Sequence, residues 1–330
     1  MEHRRMSRAL AVPRSSVLPP ATAGLTVPAV IAAAGGKAAW RFVEFFTANI
    51  RNPNTRAAYG RAVAAFCAWC EERGYDFLRV TPVAIAGYVE LLLADGLARP
   101  TVKQHLAAIR MLFDYMVTGG ILPFNPAASV RGPKHVVKKG KTPVLTPEEA
   151  RQLLDSIDVE SDSGLRDRAL IGVMVFSFAR VSAVVGMDVP DYCQQGKRWW
   201  LRLAEKGGKA HAVPVHHKAE EYLDAYLAAL GNPARGPLFR VMTKERGFSK
   251  ARLSRVDAFR MVKRRSAAAG LGDTPNCHTF RATGITAYLL NGGTIEGAQA
   301  IAAHESPRTT KLYDRTSDEI TLAEIERIAI

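Results

Sequence analysis

From about residue 38 the chain places apolar side chains at the helical period. Trp40, Phe42, Val43 and Phe46 open one helix. Tyr59, Val63, Phe66, Cys67 and Cys70 recur at helical spacing across residues 55–73, with Asn54 as the expected N-cap. Pro82 opens a third helix with Ile85, Tyr88, Val89 and Leu92 on its apolar side. Thr101 is the expected cap of a fourth, striped by Val102, Leu106, Ile109, Leu112, Phe113 and Met116 and stopped by Gly119-Gly120. These four helices predict a small bundle over residues 37–130. A second helical region, residues 146–330, begins at Thr146-Pro147-Glu148-Glu149, which supplies a cap, a proline at the first helical position and acids in the first turn. Residues 169–178 are almost wholly apolar and predict a buried helix ending near Arg180. Residues 199–203 and 210–215 flank the turn Lys206-Gly207-Gly208-Lys209 and predict a β-hairpin. Helical patterning returns at His217 and runs to the end. The fold class is therefore mainly α with a small β-hairpin or sheet in the second domain.

Two stretches fall outside this patterning. Residues 1–36 are rich in Ala, Pro and Gly without periodicity, and read as a disordered tail; the Arg- and Ser-rich start fits a transit peptide as well as a basic tail. Residues 131–145 form a linker whose first part carries Arg131, Lys134, Lys138, Lys139 and Lys141 without an acid. Such a segment suits a phosphate backbone, though a solvated hinge has the same composition.

The length of 330 residues suits two domains. Lys and Arg number 45 against 31 acids, a net charge of +14 that favours a polyanionic partner, nucleic acid or an anionic membrane. No run approaches the roughly 20 apolar residues of a membrane span, so nucleic acid is the better partner. Cys67 and Cys70 have redox spacing but sit in a helical segment, while Cys193 and Cys277 stand alone, so neither a redox motif nor a zinc site is indicated. Reduced, buried thiols point to the cytoplasm. Neither a metal-ligand cluster nor a phosphate-binding glycine loop is visible, and no cofactor is expected.

Four pieces of the second domain carry candidate chemistry. Arg180 follows a buried apolar helix and needs an anion, for which an internal carboxylate would serve. Lys206 lies in the hairpin turn. His278 and Arg281 stand one helical turn apart and share a face. His304 precedes Tyr313 by nine residues, across a proline-marked break. Each alone has an ordinary structural explanation, since lysines at turns are solvated and His and Tyr often fill cores.

The ordered set Arg180, Lys206, His278-x-x-Arg281, His304, Tyr313 resembles the signature of the tyrosine recombinases, the group of phage integrases and Xer recombinases. Further motifs extend the resemblance over about residues 38–330. Asn54-Thr55-Arg56-Ala57-Ala58-Tyr59 is similar to the opening of the family's core-binding domain, and Asn125-Pro126-Ala127 to its close. Leu145-Thr146-Pro147-Glu148-Glu149 is similar to the start of the catalytic domain, and Asn291-Gly292-Gly293 to the loop after His-x-x-Arg. The resemblance implies an N-terminal helical, SAM-like core-binding bundle clamping one face of DNA and a C-terminal catalytic domain on the other. It also implies cleavage and rejoining through a 3′-phosphotyrosine intermediate, with no metal and no ATP.

Physical chemistry fits these roles. Arg180 and Arg281 can hold the non-bridging phosphate oxygens with directional, charge-assisted hydrogen bonds. His278 and His304 can donate to phosphate, and His278 is the better acceptor for the tyrosine proton. Lys206 can protonate the leaving 5′ oxygen. Tyr313, with a free pKa near 10, needs nearby cations to act as nucleophile. Thr55, Arg56, Lys103 and Gln104 are candidates for groove contact, and Lys138 and Lys139 for backbone contact. The face of Arg252, Arg255, Arg260, Lys263 and Arg264 is a further candidate for the backbone, with Leu253, Val256, Phe259 and Val262 expected behind it.

Departures from the family pattern include Ser182-Ala183-Val184, where Ser-Glu-Leu is usual, so another group must orient Arg180. Phe280 stands for Leu, and Ala302-Ala303-His304 for Leu-Gly-His. They favour a recombinase that integrates, excises or resolves a mobile element over a housekeeping Xer protein. The rivals are a type IB topoisomerase-like relaxing enzyme and a non-catalytic DNA-binding protein on this fold. The resemblance implies a homotetramer on two DNA sites, joined through the apolar C-terminal segment after residue 318, with docking of that segment on its own domain as the alternative. A partner recombinase or accessory factor is possible, and membrane association is not expected.

Overall fold

Proline stands in the first turn of several of the helices. The computed structural model describes residues 26–137, 140–245 and 247–315, and the backbone but not the side chain of Lys206. The chain divides into two compact units, Met1–Val136 and Val137–Ile330. In the first, α1 (Ala29–Ala33) precedes α2 (Gly36–Glu44), which continues as a π-helical turn, Phe45–Asn49. Then come α3 (Pro53–Glu72), α4 (Pro82–Ala94) and α5 (Arg99–Thr118). The expected tail is thus too long: Val30 and Ile31 of α1 are buried in the bundle core, because even a five-residue helix can bury two branched apolar side chains. Residues 1–25 lie outside the described residues.

Two expected caps shift for one reason. Proline lacks an N–H and its fixed φ suits the first helical turn, so the cap falls just before it. Asn52, not Asn54, caps α3, its side chain accepting from the N–H groups of Asn54 (2.9 Å) and Thr55 (3.2 Å). Pro100 likewise falls in the first turn of α5, which starts at Arg99 ahead of Thr101, and Ala98 occupies the cap position without a side-chain bond. Asn125-Pro126-Ala127 folds back onto α5, with Asn125 Nδ2 donating to Arg110 O and Arg110 Nε to Ala127 O. Cys67 and Cys70 are buried among apolar side chains, and burial pushes the Cys70 thiol up to about 12, leaving it protonated.

The second unit opens with α6 (Pro147–Asp155), whose Thr146–Glu149 capping box is complete. The buried helix α7 (Asp162–Phe176) starts earlier and ends sooner than the apolar run, and Arg180 instead caps the following short helix, α8 (Val181–Gly186). The hairpin strands β2 (Arg198–Ala204) and β3 (Ala210–Pro214) pair Leu201 with Val213 and Ala204 with Ala210. An additional strand, β1 (Tyr192–Gln195), completes an antiparallel sheet in the order β1-β2-β3. After α9 (His217–Ala229) the expectation of helix to the end fails. Strands β4 (Arg240–Met242) and β5 (Phe248–Arg252) pair there, too short and without the buried residues needed to print a two-residue alternation. The unit continues with α10 (Arg255–Ala268), α11 (Cys277–Leu290), α12 (Ile295–Ile301) and α13 (Pro307–Lys311).

Helix α10 differs from the expected face. Arg252 lies in β5, where its guanidinium donates to Val185 O (2.9 Å) and Met187 O (2.7 Å). Ala258, Met261 and Val262 point inward, while Val256 and Phe259 are exposed. Arg264 and Arg265, with Arg166 of α7, surround the fully buried carboxylate of Asp167. Three cations on one carboxylate meet the cost of burying it and tie α10 to α7. The C-terminal part of the basic linker is pinned as well. Gly140 N donates to Leu312 O (2.9 Å), and Arg315 Nη2 to Gly140 O (2.7 Å). A side chain at residue 140 would meet the Leu312 carbonyl at 2.4 Å, so this approach requires glycine.

Candidate active site

Helix α11 places the centre of the site. Asn276 caps it, accepting from His278 N (2.9 Å), and Arg281 follows one turn inside. Arg281 is almost fully buried, at 1% exposure. Its Nη1 donates to Phe178 O and its Nη2 to Ala302 O (2.7 Å). Both carbonyls sit at turns through left-handed backbone, Phe178 at φ 55° and Ala303 at φ 48°, a conformation that costs a residue with a Cβ about 1–2 kcal/mol. Phe178 leads to Arg180 and Ala303 to His304, so one guanidinium pins the two turns that aim the other two candidates. Arg281 Nε is buried with no acceptor among the described residues, a donor left for an anion. Burial first, then the charge of Arg180, lowers the Arg281 pKa, while Glu205 and Tyr313 oppose the shift.

Arg180 projects from the cap position of α8 and is ion-paired through Nη1 to Glu205. Glu205 is buried at the end of β2, immediately before Lys206. The turn beyond it, Lys206–Gly208, closes through Gly208 N donating to Glu205 O (3.0 Å) and Glu205 N to Lys209 O (2.9 Å), with Gly207 at φ 81° and Gly208 at φ 78°. The Lys206 side chain lies outside the described part of the structure.

Tyr313 follows α13 and is buried at 7% exposure, with its carbonyl accepting from Thr286 Oγ1 (2.8 Å). Its hydroxyl lies 2.8 Å from His278 Nε2. The surrounding protein, then Arg281 and Arg180, holds the His278 pKa below the ordinary histidine value, although the ring is open to solvent. His304 is buried and nearly parallel to the Tyr313 ring (centroids 5.8 Å apart, 7° between planes). Its Nδ1 shares a hydrogen bond with Thr310 Oγ1 (2.9 Å). Burial, followed by Arg281, Arg180 and His278, lowers its pKa to about 3, so the ring is neutral at pH 7.

Arg180, His278, Arg281, His304 and Tyr313 therefore converge from α8, α11 and the segments around α13. The candidates for DNA contact are scattered elsewhere. Thr55, Lys103 and Gln104 are exposed on α3 and α5, whereas the Arg56 guanidinium is turned back to Ile50 O (2.8 and 3.1 Å). Lys138 and Lys139 lie outside the described residues. Glu205, Thr310 and Thr286 were not singled out from the sequence. Only Glu205 left a signal there, as an acid beside the hairpin lysine in a chain whose residue 183 is alanine.

Known proteins share the sequence family and the fold of both units. The profile of the phage integrase family matches residues 143–319, and that of the phage integrase N-terminal SAM-like domain matches residues 41–120. Tyrosine recombinase XerC of Myxococcus xanthus is 30% identical over 256 residues, 76% of this chain and 82% of that protein. Tyrosine recombinase XerD of Chlorobaculum tepidum is 28% identical over 267 residues, 79% of this chain and 85% of that protein. Among solved structures, a lambda integrase tetramer bound to a Holliday junction shares the fold with a TM-score of 0.64 and 20% identity, covering 84% of this chain and 77% of that one. No described helix is long and apolar enough to cross a membrane.

Proposed function

The chain belongs to the phage integrase family and is a tyrosine recombinase, an enzyme that breaks and rejoins DNA; from that premise we propose that Tyr313 is its nucleophile and assign the surrounding residues their parts. The observation that carries the assignment is the 2.8 Å contact between the Tyr313 hydroxyl and His278 Nε2, set beside two arginines. The Tyr313 oxygen attacks the scissile phosphorus and forms the Tyr–O–P bond, while the P–O5′ bond breaks. His278, neutral at the start, takes the tyrosine proton. Arg281 and Arg180 hold the non-bridging oxygens as negative charge builds on them, and His304 donates to one of them. Lys206, in a hairpin turn rich in glycine, supplies a proton to the departing 5′ oxygen. A 5′ hydroxyl from another strand reverses these steps. One phosphodiester is exchanged for another at each stage, so the chemistry draws on no ATP.

Thr55, Lys103 and Gln104 are exposed where α3 and α5 can meet DNA, and the basic segment with Lys138 and Lys139 adds charge along the backbone. The second unit carries an apolar groove of about 710 Å3 lined by residues that include Leu145, Leu154, Phe176, Tyr222 and the exposed Leu290. The sequence ends in Ile320, Leu322, Ile325, Ile328 and Ile330, apolar positions that a neighbouring copy's groove would cover. This reading supports a tetramer on two sites. Incubation with a DNA site nicked just 3′ of the scissile position should trap the full chain as a covalent adduct on a denaturing gel. Strand exchange between two intact sites, without relaxation of plasmids lacking a site, separates recombinase from topoisomerase, and absence of any adduct would refute the assignment.

A further inference from the structure

The residue that usually supports the first arginine of this active site is missing, since position 183 is a buried alanine on α8. Arg180 nonetheless has a carboxylate partner, and it comes from a different element. Glu205 immediately follows β2, its side chain is 2% exposed, and it pairs with Arg180 Nη1. We propose that Glu205 is the positioning carboxylate of this active site, fixing the Arg180 guanidinium for the scissile phosphate from the strand end that also carries Lys206.

Several observations support this assignment, which rests on the recombinase reading. A buried ion pair adds little net stability compared with apolar groups of the same size, because the desolvation cost offsets the attraction. Orientation is therefore the better account of the pair. Among the described residues Arg180 is bonded through Nη1 alone, which leaves its other N–H groups to meet the phosphate with the planar geometry of a guanidinium. Glu205 also favours the charge of the deeply buried Arg281, so one carboxylate offsets the mutual repulsion of both arginines before DNA arrives. The placement is rigid. Glu205 N and O close the turn against Lys209 and Gly208, and His211 Nε2 on β3 donates to Ile301 O (2.9 Å), anchoring the hairpin to α12. Arg180 is thus oriented only when the hairpin is seated, and seating it brings the backbone of Lys206 to the site at the same time.

A carboxylate beside a phosphate site has a cost, and the cost gives the proposal a sign that a purely structural residue would not share. Neutralising Glu205 should leave DNA binding unchanged or tighter and yet slow cleavage. The test uses the full chain as wild type, Glu205→Ala, Glu205→Gln, Arg180→Lys and the Glu205→Ala/Arg180→Lys double variant. Each is assayed for adduct formation on a nicked site with an ordinary scissile phosphate and with sulfur at the 5′-bridging position. Glu205→Ala should be slower by up to about 100-fold, the scale of a misplaced catalytic group, with the half-site Kd equal to or below wild type. Glu205→Gln, which keeps the shape and can still accept from Nη1, should lose less, and it carries the test if the alanine variant does not fold. The slowing should persist with bridging sulfur, which bypasses the leaving-group proton but not the need for Arg180. The double variant should be no slower than Arg180→Lys alone, because residues acting through one another do not add. Wild-type rates in both Glu205 variants, full rescue by sulfur, or losses that multiply with Arg180→Lys would each overturn the proposal while wild type still forms its adduct. No adduct from wild type would instead overturn the recombinase assignment on which it stands.

Discussion

The Tyr313 hydroxyl and His278 Nε2 are 2.8 Å apart across 35 residues of sequence, and they meet within a single chain. Removing that one oxygen should abolish chemistry without disturbing the fold. Tyr313→Phe keeps the ring stacked beside His304 and the Thr286 bond to its carbonyl. We expect no covalent adduct on a nicked site and a DNA affinity within about fivefold of wild type, since a single polar contact contributes about 1 kcal/mol or less. An adduct that persists would place the nucleophile on another residue.

The pH dependence of cleavage follows from His278. The ring must be neutral to take the tyrosine proton, and its pKa is held below the ordinary value near 6.5 by the surrounding protein, Arg281 and Arg180. Single-turnover adduct formation should therefore be flat through neutrality and should fall only at acidic pH, below about 6.5, as His278 protonates. His304, with its pKa near 3, stays neutral across that range and contributes no limb. His278→Gln should lose roughly 100- to 10,000-fold in rate together with the acidic limb. A limb centred at or above neutrality would mean that the ring is charged in the working enzyme.

Lys206 is tested by changing the leaving group. Lys206→Ala should slow cleavage of an ordinary phosphodiester by roughly 100-fold or more. Cleavage of a 5′-bridging phosphorothiolate should be nearly unaffected, because sulfur leaves without a proton. Equal losses on both substrates would reassign the proton to Lys209 or another group.

Ala303 carries a conformation better suited to glycine, φ 48°, immediately before His304. Glycine there relieves about 1–2 kcal/mol of left-handed strain but adds about 0.4–1 kcal/mol of unfolded-state entropy. Ala303→Gly should thus raise the thermal midpoint slightly or leave it unchanged, with cleavage retained because Arg281 still holds the Ala302 carbonyl. A clear fall in the midpoint, measured by circular dichroism, would show that the Ala303 methyl group contributes packing that outweighs the strain.

Assembly is separable from chemistry. Deleting residues 318–330 should preserve the folded monomer, half-site binding and adduct formation on a nicked site, and should abolish cooperative pairing of two sites and strand exchange. Analytical ultracentrifugation on DNA together with a recombination assay would register the difference. Normal recombination by the truncated chain would show that the segment is dispensable.

The sequence by itself determined the parts of this protein that depend on local periodicity and residue chemistry. The stripe Val102, Leu106, Ile109, Leu112, Phe113 and Met116 needs only the 3.6-residue repeat to define the buried face of α5, and Thr146-Pro147-Glu148-Glu149 needs only its own four residues to cap α6. The order of Arg180, His278, Arg281, His304 and Tyr313 was legible only as a set that resembles the tyrosine recombinase signature, since each residue alone has an ordinary structural explanation. Tertiary structure decided what depends on distant partners. Two short strands, β4 and β5, are stabilised by each other and by Tyr226, whose hydroxyl donates to Leu238 O, a contact with no trace in local pattern. Val256 and Phe259 fit a helical stripe but face outward, because the Asp167 cluster fixes which side of α10 is inside. The pairing of Glu205 with Arg180 joins residues 25 apart whose proximity exists only once the hairpin packs beside α8. Periodicity reports which face of an element is buried, but the neighbour that buries it, and the charge that an arginine finds there, are set by long-range packing.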